Sequence, residues 1–165
     1  MAEADPAGAF VVSVAYSPDG SRLACGTMGG CVAIFDTATA QLLHSLPGLF
    51  KAVRSLAWAS DGSTLAAACD DGHVHVYEAA GGQLVGDLVG HAGCALAVAV
   101  SPDRTTLATG GSDATVRIWD ARSGLATQTL SGEHSECVWG VAFSPSGAHL
   151  ASCSDDKSVA LFAVS

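Results

Sequence analysis

The amino-acid sequence predicts an all-β chain of four successive antiparallel sheets, three with four strands and one with three. Three observations carry that expectation. First, one unit recurs along the chain, clearest over Gly90 to Asp120, GHAGCALAVAVSPDRTTLATGGSDATVRIWD. Second, two independent landmarks keep one period. The turn serines Ser17, Ser60, Ser101 and Ser144 are spaced by 43, 41 and 43 residues, and the closing aromatics Phe35, Tyr77, Trp119 and Phe162 by 42, 42 and 43. Third, runs such as Thr115-Val116-Arg117-Ile118-Trp119 alternate apolar and polar residues at the period of a strand, where a helical repeat of similar length would need helical spacing.

Gly, Pro, Asp and Ser punctuate these runs and set the strand limits. The first group reads Phe10–Tyr16, Arg22–Thr27, Cys31–Asp36 and Gln41–Leu46. The second reads Val53–Trp58, Thr64–Cys69, His73–Glu78 and Gln83–Leu88. The third reads Ala95–Val100, Thr105–Gly110, Thr115–Asp120 and Leu125–Leu130. The last reads Val138–Phe143, His149–Cys153 and Ser158–Phe162, with no fourth strand before Ser165. Residues 1–9 are rich in Ala and Gly and read as a disordered tail. The repeats then run over about 10–48, 49–90, 91–132 and 133–165.

A period of about 40–45 residues that opens on Gly-His and closes on Trp-Asp resembles the WD40 repeat, one propeller blade per unit. The resemblance implies a polar network in the third repeat. His91 precedes its first strand, Thr109 lies in the second, Asp113 in the next turn and Trp119 in the third. A buried imidazole needs an acceptor and a buried carboxylate needs donors, so each satisfies the other. The fourth repeat keeps His134, Ser152 and Asp156, with Phe162 for Trp. The second keeps Asp71, but has Leu49, Ala67 and Tyr77 at the other places. The first has Gly29 where the Asp is expected. Since the repeat accounts for His91 and Asp113, a general-base dyad is not needed to explain them, and no enzyme is expected.

Composition agrees. The chain is 49% hydrophobic and 14% charged, enough apolar residue for a core. No apolar run approaches the roughly 18 residues of a membrane span, so no membrane partner is expected. Seven basic and 16 acidic residues give a net charge of −9. A phosphate-tracking surface needs clustered Lys and Arg, so direct nucleic-acid binding is not expected. Many of the acids sit at turn positions. Six cysteines show no CxxC and no zinc spacing with His, and read as buried free thiols in a reducing compartment. His73 and His75 share one side of a strand, but a metal site would need further ligands nearby. None is read, and no cofactor is expected. His44 and His149 have no readable role.

Longer strings narrow the resemblance. AYSPDG at Ala15–Gly20, VRSLAW at Val53–Trp58, CDDGHVHVYE at Cys69–Glu78, LVGDLVGHA at Leu84–Ala92 and VWGVAFSPSG at Val138–Gly147 look like the last four repeats of one family. It is that of the WD-repeat subunit shared by the superkiller (Ski) complex and the RNA-polymerase-II-associated elongation complex, the plant vernalization independence three type. The resemblance implies a WD40 β-propeller, here partial, an open arc of a seven-bladed ring. It implies a scaffold without catalysis in nucleus and cytoplasm, with a helical-repeat subunit, an RNA helicase and elongation-complex subunits as partners. An adaptor of another complex, such as a ubiquitin-ligase substrate receptor or signalling scaffold, is the alternative. An open arc leaves sheet faces uncovered. Three arrangements are open: further blades in a longer chain, a ring completed by a second copy or another chain, or closure by these four blades alone.

A partner site is expected where one column of each first strand, Val12, Arg54, Leu96 and Trp139, points to one mouth of the ring. Arg54 and Trp139 are the residue types that anchor interfaces. Lys51, Glu136 and Cys94 lie in loops beside them.

Overall fold

The computed structural model describes residues 10–46 and 49–164, so the expected tail over 1–9 lies outside the described residues. Fifteen strands form four antiparallel sheets with no helix among the described residues. Sheet one holds β1 (Val11–Tyr16), β2 (Arg22–Thr27), β3 (Val32–Asp36) and β4 (Leu42–Leu46). Sheet two holds β5 (Val53–Trp58), β6 (Thr64–Cys69), β7 (His73–Glu78) and β8 (Leu84–Val89). Sheet three holds β9 (Ala95–Val100), β10 (Thr106–Gly111), β11 (Val116–Asp120) and β12 (Ala126–Leu130). Sheet four holds β13 (Val138–Phe143), β14 (His149–Ser154) and β15 (Val159–Ala163). Within each sheet the strands lie side by side in chain order.

The hairpins between first and second strands are built by turn chemistry. The hydroxyl of Ser17 donates to Asp19 at 2.6 Å, and the backbone N–H of Ser21 donates to the same oxygen at 3.0 Å. The third repeat repeats the motif with Ser101, Asp103 and Thr105. These donors hold the Asp19 carboxyl down at about 2. The residue that closes each turn has positive φ: Gly20, Gly62, Arg104 and Gly147. Only glycine adopts that conformation without a Cβ penalty, and in the third repeat Arg104 carries it.

Each sheet has a small-residue face and a large-residue face, and neighbouring sheets pack large onto small. Between sheets two and three, Ala66, Ala68 and Val74 receive Val98, Leu107 and Trp119. Ala24, Val32 and Ile34 receive Leu56, Trp58, Leu65 and Tyr77 in the same way, and Ala108, Val116 and Ile118 receive Leu150 and Phe162. Polar ties cross the same seams: Trp58 Nε1 donates to the Ala15 carbonyl at 3.0 Å, and Ser13 Oγ to the Val53 carbonyl at 2.9 Å.

The terminal sheets show the same positions uncovered. Leu56 and Trp58 are 9% exposed, whereas Val14 and Tyr16, their equivalents in sheet one, are 64% and 66% exposed. At the other end, Val32, Val74 and Val116 are buried, while the equivalent Val159 is 69% exposed and Leu161 is 77% exposed. The architecture is therefore that of a partial propeller with unclosed ends, as the repeat pattern predicts.

The expectation of buried thiols holds for Cys25 and Cys69. Cys31, Cys94 and Cys137 are half-buried and Cys153 is exposed, and all six are free. Cys153 alternates with Ser152, which faces sheet three, so it points out from the uncovered face of sheet four.

Candidate functional site

The first strand of every sheet is bulged at the same place. Val11 pairs with Thr27 and Ser13 with Gly26, leaving Val12 as the extra residue. Arg54, Leu96 and Trp139 are the extra residues in β5, β9 and β13. The column expected to carry a partner site is thus the column of bulge residues. A bulge inserts one unpaired residue and re-aims its side chain, which frees that position from the alternation of the strand.

The four side chains behave differently. Trp139 is 50% exposed, whereas Leu96 is buried at 6% and offers little to a partner. Arg54 is held within its own blade. Its Nε and Nη2 donate to the two oxygens of Asp70 at 2.8 and 2.6 Å, a bidentate pair that raises the guanidinium pKa. Lys51 and Glu136 are exposed, and Cys94 is half-buried. Phe50 was missed by the sequence reading. It lies in the loop before β5, and at 91% exposed it is a bare aromatic beside Lys51. The signal was available, since the residue next to the network position is Phe50 in this repeat and Ala92 or Ser135 in the next two.

The polar networks brace this end. His91 Nδ1 lies 3.0 Å from Asp113 Oδ1, and His91 Nε2 lies 2.7 Å from Thr109 Oγ1. Trp119 Nε1 donates to Thr109 Oγ1 at 2.9 Å, and the Ala92 N–H donates to Asp113 at 2.9 Å. One assignment satisfies every group: indole N–H to Thr109, Thr109 O–H to Nε2, and Nδ1–H to the carboxylate. Burial lowers the His91 pKa, in keeping with that neutral ring, despite the carboxylate beside it. Burial works to raise Asp113, but its donors outweigh burial and hold it at about 2. Each ring nitrogen is occupied and the ring is fully buried, so the Nδ1 proton is committed to the carboxylate and the ring faces no solvent. In sheet four, His134 reaches Asp156 at 2.9 Å and Ser152 at 2.7 Å, and Phe162 supplies no donor to Ser152.

Sheet two is wired otherwise. With Leu49 buried where a His would sit, Asp71 meets His75 Nε2 at 3.2 Å instead, while it accepts from the His73 N–H at 2.9 Å as Asp113 does from Thr115. The structure also brings Asp87 of β8 to the two histidines. No helix of the described residues is long and apolar enough to cross a membrane.

Repeated four-stranded sheets, a bulged rim and His–Asp braces define a WD-repeat propeller type of interaction domain. The family model "WD domain, G-beta repeat" matches residues 5–36, 82–120 and 124–162, more than half of the chain, and the chain belongs to that family. The model of the anaphase-promoting complex subunit 4 WD40 domain matches residues 47–97. The narrower resemblance is supported locally: WD repeat-containing protein VIP3 of Arabidopsis thaliana is 54% identical over 46 residues, 28% of this chain and 14% of VIP3. Among solved structures, a chain of the mitotic checkpoint complex is 32% identical with a TM-score of 0.84, covering 93% of this chain and 46% of that one. U3-55K, 17% identical with a TM-score of 0.84 over 97% of this chain and 54% of its own, shares the fold. The chain thus spans about half the length of these structures.

Proposed function

We propose that this chain is a non-catalytic scaffold of a multi-subunit assembly of the VIP3 and superkiller type, and that it offers the bulged rim to other proteins. The observation that carries this reading is the 54% identity to VIP3 over 46 residues. The rim fits the role. Phe50, in the loop before β5, and Trp139, the bulge residue of β13, are exposed aromatics of the kind that dominate binding energy, at one end of the sheets. The partners by resemblance are a helical-repeat subunit, an RNA helicase and elongation-complex subunits, met in nucleus and cytoplasm. Direct nucleic-acid binding is not part of the reading. Of seven cations, Arg54, Arg104 and Arg117 face Asp70, Asp61 and Asp113, and Arg22 donates to the Ala79 carbonyl.

Affinity purification of the tagged chain tests this. Recovery of helicase, helical-repeat or elongation-complex subunits, lost in Trp139→Ala and Phe50→Ala, is expected. Recovery of none of them overturns the assignment to this assembly. Adaptor duty in another complex is the second reading, favoured by the match of residues 47–97 to anaphase-promoting complex subunit 4. The uncovered faces add self-association to the proposal, since Val159 and Leu161 repeat positions that receive the next sheet elsewhere in the chain.

A further inference from the structure

The geometry points to a binding site for a zinc-type divalent transition ion on sheet two, held by His73, His75 and Asp87. The three ligand atoms lie within 4.8 Å of one another. Asp87 Oδ1 is 3.0 Å from His73 Nδ1 and 3.6 Å from His75 Nδ1. Ligands bound at about 2.0–2.1 Å in a tetrahedron stand roughly 3.3–3.4 Å apart, so these separations bracket the required one. Two imidazoles and one carboxylate form a borderline donor set, which suits zinc better than magnesium or calcium. The fourth position is left to water.

A second observation is independent of that spacing. His75 is buried, and its other nitrogen, Nε2, sits 3.2 Å from Asp71 Oδ2. A carboxylate behind a histidine fixes the ring and the tautomer and leaves the remaining nitrogen free to ligate, the usual second layer of a metal site. The two rings stack at 5.7 Å with planes 19° apart, so they are already aligned. His73 and Asp87 are partly exposed, which gives an ion a path in.

The repeat does not account for the cluster. The places of His73, His75 and Asp87 hold Cys31, Ala33 and Ser45 in sheet one, and Thr115, Arg117 and Thr129 in sheet three. Asp71 belongs to the repeat pattern, but its usual histidine partner is replaced by Leu49. Two carboxylates thus converge on two imidazoles with no Lys or Arg among their hydrogen-bond or ion-pair partners. A cation balances that charge, and the inference stands whether or not the assembly proposed above is the right one.

Titration of the full chain with zinc chloride against a competing chelator tests it. One ion per chain is expected, with affinity reduced at least tenfold in His73→Ala and in Asp87→Asn, and unchanged in His44→Ala. Both key positions are partly exposed, and circular dichroism is the check that the variants fold. Asp71→Asn is expected to weaken binding by about tenfold. Cobalt(II) in place of zinc gives a visible spectrum without a thiolate charge-transfer band. Absence of saturable binding overturns the assignment. So does binding that survives His73→Ala and Asp87→Asn, or a thiolate band that assigns the ion to cysteine.

Discussion

Thr109→Val probes the brace at its centre. Valine has the shape of threonine, so no cavity is created, and the change is confined to one hydroxyl. That hydroxyl serves two groups: the Trp119 indole N–H at 2.9 Å and His91 Nε2 at 2.7 Å. Thr109 is fully buried and Trp119 nearly so, so water cannot replace the lost partner. A buried polar group left unmatched costs about 1–3 kcal/mol, so two such groups should cost about 2–6 kcal/mol here. For a chain of this size each kcal/mol shifts the melting temperature by about 2–4 °C, which gives a drop of about 4–24 °C. Urea denaturation of the wild type, Thr109→Val, Trp119→Phe and the double variant completes a cycle. With the indole donor gone, Thr109→Val strands only His91 Nε2, so its cost should fall by about 1–2 kcal/mol. Sheet four already has this reduced network, with Ser152 serving His134 beside Phe162. A loss below about 1 kcal/mol for Thr109→Val, additive with Trp119→Phe, would refute the claim that this hydroxyl organises the brace.

Other perturbations have signed outcomes. Ala114 holds φ at 61°, where two sister turns carry Gly30 and Gly72, so Ala114→Gly should stabilise by about 0.5–1 kcal/mol in urea melts. Gly110→Ala should destabilise by about 1–3 kcal/mol, because a Cβ there would meet Val138 Cγ1 at 2.6 Å and the Val138 carbonyl oxygen at 3.0 Å. Acid should weaken the fold in two stages. His91 has a lowered pKa, so its contribution is complete above about 6.5, the unfolded value, and is lost as pH falls below it. Asp113, held at about 2, contributes fully above about 4 and loses that contribution as pH falls towards 2. A pH series of melting temperatures reads both stages, and Asp113→Asn should flatten the lower one. Leu161→Lys should shift the chain towards monomer in sedimentation at rising concentration, since Leu161 is apolar and 77% exposed.

Much of the fold was legible in the sequence because turn residues and strand alternation are local signals. The SPDG turn at Ser17–Gly20 names its own hydrogen bonds, and every predicted strand lies within one or two residues of an observed one. The His91 brace was legible through the family resemblance, since the third repeat alone holds all four residue types and the fourth keeps three of them. The rewiring of sheet two was not, and the cause is register. Tyr77 pairs with Leu84, but Val76 pairs with Gly86, so Val85 is skipped by a bulge. That skip sets Asp87 opposite His75. Without it, Gly86 would stand there and the histidines would have no carboxylate across the strand. One inserted residue reverses which side chains face a given side, and nothing in the string LVGDLV announces it. The Arg54–Asp70 pair was hidden in the same way, because the bulge at Arg54 alters its aim.

Bulges also explain how a repeat that repeats itself can carry specificity. Core positions are bound by packing. Ala66 must stay small because Leu107 and Trp119 fill the space before it. The bulge residue is released from that rule, since it lies outside the ladder and need not match a neighbour across the strand. Val12, Arg54, Leu96 and Trp139 differ in size, charge and burial while the backbone beneath them is the same. Where the extra residue is also exposed, as at Val12 and Trp139, the chain can vary its surface without disturbing its core, and substitutions there should cost little stability, whereas Leu96 and the Arg54–Asp70 pair remain tied to folding.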